Sequence, residues 1–209
     1  MGFQDMTLAK FNDVLASGAP TPGGGCASAL AGALAAGLVA MVARATAGNK
    51  KFAECAEQMN QIASEVDRLR GELLALVDED AKAFDQVMAA FRMPKETPEQ
   101  QAARSQAIQD AYKAAVQPPM NAYSRSLRVL ELTLEVAERG NPSAASDAGV
   151  AALLAMAAIE GGALNVQTNL GSIKDESFRS GQAERARRVR SQAQALRDKT
   201  LAVVRTRLG

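Results

Sequence analysis

One carboxylate lies on an otherwise apolar helical stripe. From Phe52 onward, apolar residues recur at steps of three and four through Cys55, Met59, Ile62, Val66, Leu69, Leu73 and Leu76. The next steps fall on Asp80, Ala83, Val87 and Ala90, so all of them share one helix face. Asp78 and Glu79 fall off that face. A carboxylate held in an apolar cleft has its pKa raised toward the range useful for proton transfer. The same position also suits an acid paired with a buried Arg or Lys, or a face that turns out to solvent.

The rest of the inventory narrows the chemistry. The chain has no histidine, which removes Ser-His-Asp and Cys-His mechanisms and deprives zinc of its usual imidazole ligand. Proton transfer must run through carboxylates, Lys, Tyr, Cys or bound water. The two cysteines, Cys26 and Cys55, give neither a disulfide framework nor a metal-ligand spacing, so no metal is expected. Asp147 falls near the start of a second apolar segment, where an acid is favoured by the helix dipole and can cap backbone N–H groups. Asn165 and Asn169 are four apart on one face, with Asn165 in phase with Asp147, Leu154 and Gly161. Buried amides need partners, so this pair either ties helices together or reads the edge of a heterocycle. Gly23, Gly24 and Gly25 resemble an anion cradle before a helix, yet the run is neither G-x-G-x-x-G nor a Walker sequence. Close packing at a crowded helix entrance explains it equally well. Lys50, Lys51 and a basic final segment read as solvated faces unless a polyanionic ligand uses them.

These groups need a scaffold, and composition says which kind. Of 209 residues, 47% are hydrophobic and only 4% aromatic, while Ala, Leu, Gln, Glu and Arg abound. That balance favours an all-α protein of one domain, residues 1–209. A net charge of +1 gives no argument for nucleic acid or a membrane surface. The stretch PTPGGGCASALAGALAAGLVAMVARAT admits three readings: a membrane span, a secretion signal, or a buried helix with a glycine-rich entrance. Its uncharged run reaches the lower limit for spanning a bilayer, but most of it is Ala, Gly and Ser. Asp5 and Asp13 precede it, so it lacks the positive flank of a signal peptide. Small residues recur at helical spacing (Ala27, Ala31, Ala35, and Ser28, Gly32, Ala36), which lets another backbone approach closely. We therefore expect a central helix of a soluble bundle, capped by Thr21 with Pro22 in its first turn.

The other elements follow from periodicity and breakers. A short amphipathic helix carries Leu8, Phe11, Val14 and Leu15. The long striped helix runs from about Phe52 to Phe91 and stops at Met93-Pro94-Lys95. Thr97-Pro98-Glu99 restarts a peripheral helix, which Pro118-Pro119 breaks. A helix through Met120, Tyr123, Leu127, Leu130 and Leu134 ends at Gly140, read as a C′ glycine. Asn141-Pro142-Ser143 caps a second small-residue helix, ASDAGVAALLAMAAIEGGALNVQTNL. The last helix, about Asp175 to Leu208, turns Phe178, Val189, Leu196 and Val203 inward and is markedly basic. The sum is a bundle of about six to seven helices with two central small-residue helices.

Three of these motifs, in order, resemble one known family. PTPGGG before a small-residue helix, DAKAFDQVMAAFRMPK, and GN…SDAGVAALLAMAA…GALNVQTNL are similar to the cyclodeaminase/cyclohydrolase family of folate one-carbon metabolism. This domain forms the C-terminal part of formimidoyltransferase-cyclodeaminase and also occurs as a stand-alone bacterial methenyltetrahydrofolate cyclohydrolase. The resemblance covers nearly the whole chain. It implies an all-helical fold, a homodimer or dimer-based oligomer, a tetrahydrofolate derivative as substrate, and no tightly bound cofactor. It also implies that Asp80, the acid of the D-A-x-A-F motif, is catalytic, with Asp147 a second candidate acid that shapes the ligand site. Pro22, Gly23, Gly24, Gly25, Ser28, Phe84, Asn141, Asn165 and Asn169 become candidate substrate-binding residues. Lys50, Lys51 and Lys95 become candidate partners for the carboxylates of a folate glutamate tail. Cys26 stands where other members carry Ser, Gly or Ala, and NPSAASD replaces a commoner N-x-N or N-x-A pattern.

The implied chemistry suits the inventory. Methenyltetrahydrofolate is a delocalised cation and already electrophilic, so a positioned water, a base and a site tolerant of positive charge suffice. Closing formiminotetrahydrofolate with loss of ammonia needs a general acid instead, which the same carboxylate can supply. No transferase segment is recognisable in the chain, which tilts the expectation toward a cytoplasmic cyclohydrolase. The alternatives are the cyclodeaminase and a non-catalytic helical oligomerisation module. That last reading leaves the acid on the apolar seam unexplained.

Overall fold

The stripe of alternating three- and four-residue steps becomes a single 36-residue helix. In the computed structural model, which describes Gly2 to Gly209, seven α-helices form and no strand does among the described residues. They are α1 (Leu8–Leu15), α2 (Gly24–Ala47), α3 (Ala56–Phe91), α4 (Pro98–Ala115), α5 (Gln117–Arg139), α6 (Ala145–Leu170) and α7 (Glu176–Leu208). Short 3-10 turns at Phe3–Asp5, Lys50–Cys55 and Pro142–Ala144 precede α1, α3 and α6.

The two small-residue helices, α2 and α6, occupy the centre. Each is long and apolar enough to cross a membrane by length and composition, yet most of each is buried within the bundle. Small side chains explain the arrangement. A Cβ on Gly32 would meet Ser126 Oγ of α5 at 2.5 Å, and one on Gly162 would meet the Pro119 carbonyl at 3.0 Å. Backbones this close leave no room for larger residues, and the contacts come from dispersion over many atoms. Around them α3 and α5 supply the bulk: Met59, Leu73, Tyr123, Leu130 and Leu132 are almost wholly buried. Truncating Leu73 to alanine is expected to cost about 2–5 kcal/mol, the range for a core leucine.

Local signals set most boundaries. Thr97 accepts a hydrogen bond from Gln100 N, and Gln100 reaches back, a complete capping box behind Pro98. Asp175 caps α7 by accepting from Phe178 N at 3.0 Å. Arg104 of α4 donates to the Phe91 carbonyl at 3.0 Å and fixes the end of α3.

Three local expectations change. Thr21 does not cap α2: Gly23 occupies the N-cap, without any side chain, and Thr21-Pro22 is a cis peptide in the preceding turn. Pro118 and Pro119 begin α5 rather than merely ending α4, because the first turn of a helix has no use for their missing N–H groups. Gly140 is extended, not left-handed, at φ −73° and ψ 177°. Its lack of a side chain serves close approach instead, since a Cβ there would lie 3.2 Å from Thr46 Oγ1 of α2.

Candidate active site

With no side chain at its N-cap, α2 begins with bare backbone N–H groups. Asp80 supplies what is missing. Its carboxylate is carried on α3 to the first turn of α2, and a Cβ built on Gly25 would lie 2.5 Å from the Asp80 Cγ. Gly25 is therefore glycine because the carboxylate takes that space. The Cys26 backbone N–H points at the same carboxylate, and the Cys26 thiol donates to Asp80 Oδ2 at 3.4 Å. An acid from another helix thus does the work of a capping side chain, with the positive end of the α2 dipole beneath it.

The electrostatics are a balance with a clear sign. Desolvation by burial raises the Asp80 pKa above the usual carboxylate range, while the Cys26 thiol and amide partly offset that rise. Among the described residues, no cation faces it closely enough to pair. Burial pushes the Cys26 thiol up to about 12, so it stays protonated at neutral pH and acts as a donor. The unusual position on the apolar seam is thus neither a buried ion pair nor a surface turned to water. Asp80 is half-buried, with Phe84 one turn along α3 at 37% exposure.

α6 closes the other side. A Cβ on Gly24 would lie 3.6 Å from Asn165 Nδ2, so this amide stands beside the entrance of α2. Asn165 Nδ2 itself donates to the Gly161 carbonyl one turn back at 2.8 Å. Ser28 is spent differently. It is buried, donates to the Gly24 carbonyl at 2.7 Å and packs on Gly161, where any Cβ would collide with its hydroxyl. Asn169 donates to the Ala115 carbonyl at 2.9 Å and ties α6 to the end of α4. Ser28 and Asn169 thus hold the walls. Pro22 is buried in the turn before α2.

Two cavities lie along the helices that carry these residues. One of about 540 Å³, on the face of α3 next to the seam, is lined by Thr21, Asp78, Ala81, Lys82, Asp85 and the N-terminal residues 2–5. An apolar groove of about 560 Å³ lies along α2, between Leu30, Leu34, Leu38 and the segment carrying Phe3, Met6 and Phe11. It contains no carboxylate, so the chemistry belongs to Asp80 rather than to the most apolar hollow. Among the described residues, no three His, Cys, Asp or Glu side chains cluster tightly enough to hold a metal ion.

The sequence of residues 7–188 matches the family model described as formiminotransferase-cyclodeaminase. The chain belongs to that family. It is 39% identical over 202 residues to a methenyltetrahydrofolate cyclohydrolase from Methylorubrum extorquens, covering 97% of both chains. It is 31% identical over 192 residues to formimidoyltransferase-cyclodeaminase from Gallus gallus, of which it spans 36%. Its fold superposes on the crystal structure of a formiminotetrahydrofolate cyclodeaminase from Thermotoga maritima with a TM-score of 0.88 and 28% identity, over 99% of each chain.

Within this family member the candidate residues divide into two groups. Asp80, Phe84, Gly23, Gly24, Gly25 and Asn165 gather at the N-terminal end of α2. Lys95 follows the end of α3, past Phe91, which is about 16 Å of helix beyond Asp80. Lys50 and Lys51 follow the C-terminal end of α2, a helix about 36 Å long. Asn141 is at that far end too, its N–H donating to Thr46 Oγ1 at 2.9 Å and its Oδ1 accepting from Ser143 N. Asp147 sits in the first turn of α6, about 27 Å of helix from Asn165. Asp80 and Asp147 are therefore not a pair within one chain, because antiparallel packing of α2 and α6 sends their starts to opposite ends. The residue that sequence reasoning undervalued is Cys26. Its signal was a cysteine directly after the glycine run, and only packing aimed it at Asp80.

Proposed function

We propose that this protein hydrolyses 5,10-methenyltetrahydrofolate to 10-formyltetrahydrofolate, with Asp80 carrying the proton. The observation that carries this reading is the Asp80 carboxylate on the uncapped start of α2, with Oδ2 held by the Cys26 thiol and, among the described residues, no side chain donating to Oδ1. The cyclohydrolase from Methylorubrum extorquens, similar over nearly the whole chain, supports it.

The steps balance without a further reagent. Asp80 Oδ1 orients a water and takes one of its protons as the water oxygen bonds to the amidinium carbon. The same proton then goes to N5 as the C–N5 bond breaks, and the remaining hydroxyl proton leaves to solvent as the formyl carbonyl forms. Burial favours both halves, since an acid with a raised pKa accepts and returns a proton readily near neutral pH. The negative charge also offsets the substrate cation inside a partly desolvated cleft. Asn165 is suited to the pterin edge and exposed Phe84 to its face. The substrate is electrophilic already, so the scheme uses no bound cofactor.

A second reading, formiminotetrahydrofolate cyclodeaminase, is favoured by the full-length likeness to the Thermotoga maritima enzyme. There protonated Asp80 would assist departure of ammonia. Loss of methenyl absorbance above the spontaneous rate, run beside an ammonia assay on formiminotetrahydrofolate, separates the two. Turnover of neither substrate would overturn both.

The reading extends to assembly and place. Leu34 and Met41 on α2 and Val150, Leu153 and Leu164 on α6 are 44–63% exposed. Covering these by a second copy gives a homodimer, and an antiparallel arrangement would set one subunit's Lys50, Lys51, Asn141 and Asp147 beside the other's Asp80. Lys95 is the glutamate-tail partner within a single subunit. The free thiols of Cys26 and Cys55 fit a reducing, cytoplasmic setting.

A further inference from the structure

We infer that Cys26 is a positioning residue for Asp80: its thiol holds Oδ2, so that Oδ1 alone is presented to water and substrate. This rests on the reading of Asp80 as the proton carrier. The geometry has three parts. Gly25 leaves an empty volume that the carboxylate fills, with its Cγ 2.5 Å from where a Cβ would be. Cys26, the next residue, has no exposed surface and aims Sγ at Oδ2 from 3.4 Å. Among the described residues the Cys26 thiol is the one side chain that donates to the carboxylate, and it takes Oδ2, so the two oxygens are made unequal by that contact.

A thiol suits this task in a way a stronger donor does not. It is a weak donor, so it orients the carboxylate and lowers its basicity only a little. It remains protonated at neutral pH, so it never competes as a base and never adds a second negative charge. The other groups around Asp80 leave it the main adjustable influence. α2 has no charged residue before Arg44, and α6 offers neutral Asn165, with Glu160 further back already paired to Arg190 at 2.7 Å. On α3 itself, Asp78 accepts from Phe3 N at 2.6 Å, while exposed Glu79, Lys82 and Asp85 point off the seam. Asp5, in the N-terminal turn, accepts from Gly2 N.

The test is the pH profile of kcat/KM. A donor to the charged form holds a carboxylate pKa down, so Cys26→Ala should move the acid limb upward by roughly half to one pH unit. Cys26→Ser should return the limb to the native position or below it. A packing role alone would change Tm and leave both limbs in place, and that result would overturn the inference. A second readout needs no variant at the site of the thiol. The Cys26 S–H stretch in the native protein should shift as pH crosses the acid limb, and Asp80→Asn should abolish that shift. A stretch indifferent to pH would count against the contact. If Asp80→Asn still turns over substrate, the underlying reading has failed. If it is inactive while the limb stays fixed in Cys26→Ala, only the thiol's role has.

Discussion

The Asp80 carboxylate fills the volume that a side chain at Gly25 would need. A glycine chosen for absence on α2 and an acid out of place on α3 are thus two halves of one feature. Neither explains itself alone. The outcome is a carboxylate that caps a foreign helix, half-buried and, among the described residues, without a cation beside it.

Replacing Asp80 by asparagine should remove the proton carrier and keep the shape. Turnover should fall by about 100- to 10,000-fold, the usual yield of a positioned acid or base. Steady-state kinetics on methenyltetrahydrofolate check this, and near-native turnover would sink the mechanism.

The same variant should report on stability with a defined sign. Asp80 has a folded-state pKa raised by burial. Its contribution to stability is therefore fully present below the ordinary carboxylate pKa and is lost as pH rises through the raised value. Asp80→Asn should gain in Tm relative to the native protein at pH 7, and lose that gain at pH 4. Calorimetry at the two pH values reads the difference directly.

Glu65 and Glu72 run the other way. Hydrogen bonds from Arg128 and Arg125 hold their carboxyls below the usual range. Their stabilisation is present above the ordinary carboxylate pKa and is lost as pH falls through the depressed one. Arg128→Ala should consequently flatten the acid side of the stability profile between α3 and α5, with kcat unchanged.

Gly25→Ala introduces a methyl where the carboxylate stands. Overpacking of this kind costs about 1–3 kcal/mol, and each kcal/mol is worth roughly 2–4 °C in Tm for a chain of this length. The activity loss should exceed that stability loss, because Asp80 must move. A variant that is less stable yet fully active would show that the close approach is only packing.

The two asparagines should separate cleanly. Asn169→Ala orphans the Ala115 carbonyl, at about 1–3 kcal/mol of stability, with KM little changed. Asn165→Ala should raise KM with a smaller effect on Tm. Lys95→Gln should raise KM for polyglutamylated folate more than for monoglutamate, and equal effects on both would remove it as the tail partner.

Much of this was readable before any coordinates. Steps of three and four placed nine of the twelve buried residues of α3 on one stripe, because a helix repeats its faces that way whatever its surroundings; Ala63, Val77 and Ala81 lie buried beside it. Thr97 announced its cap, since capping is a contact between residues three apart. The glycine run and the seam acid were both visible as anomalies. Thr21 was misread as a cap for the same reason that others were read correctly. A local rule offered a local partner, and here the partner came from fifty-five residues away, Gly25 to Asp80.

By itself, then, the sequence determined the helices, the two small-residue segments at the centre, and the one carboxylate set among apolar neighbours. These depend on spacing and side-chain type within a few turns. Only the tertiary structure decided that Asp80 meets the start of α2, that Cys26 reaches its Oδ2, and that Asp147, Lys50 and Lys51 lie at the other end. Those facts follow from the antiparallel packing of long helices, in which one residue's neighbours are fixed by the whole length of its partner and not by the chain beside it.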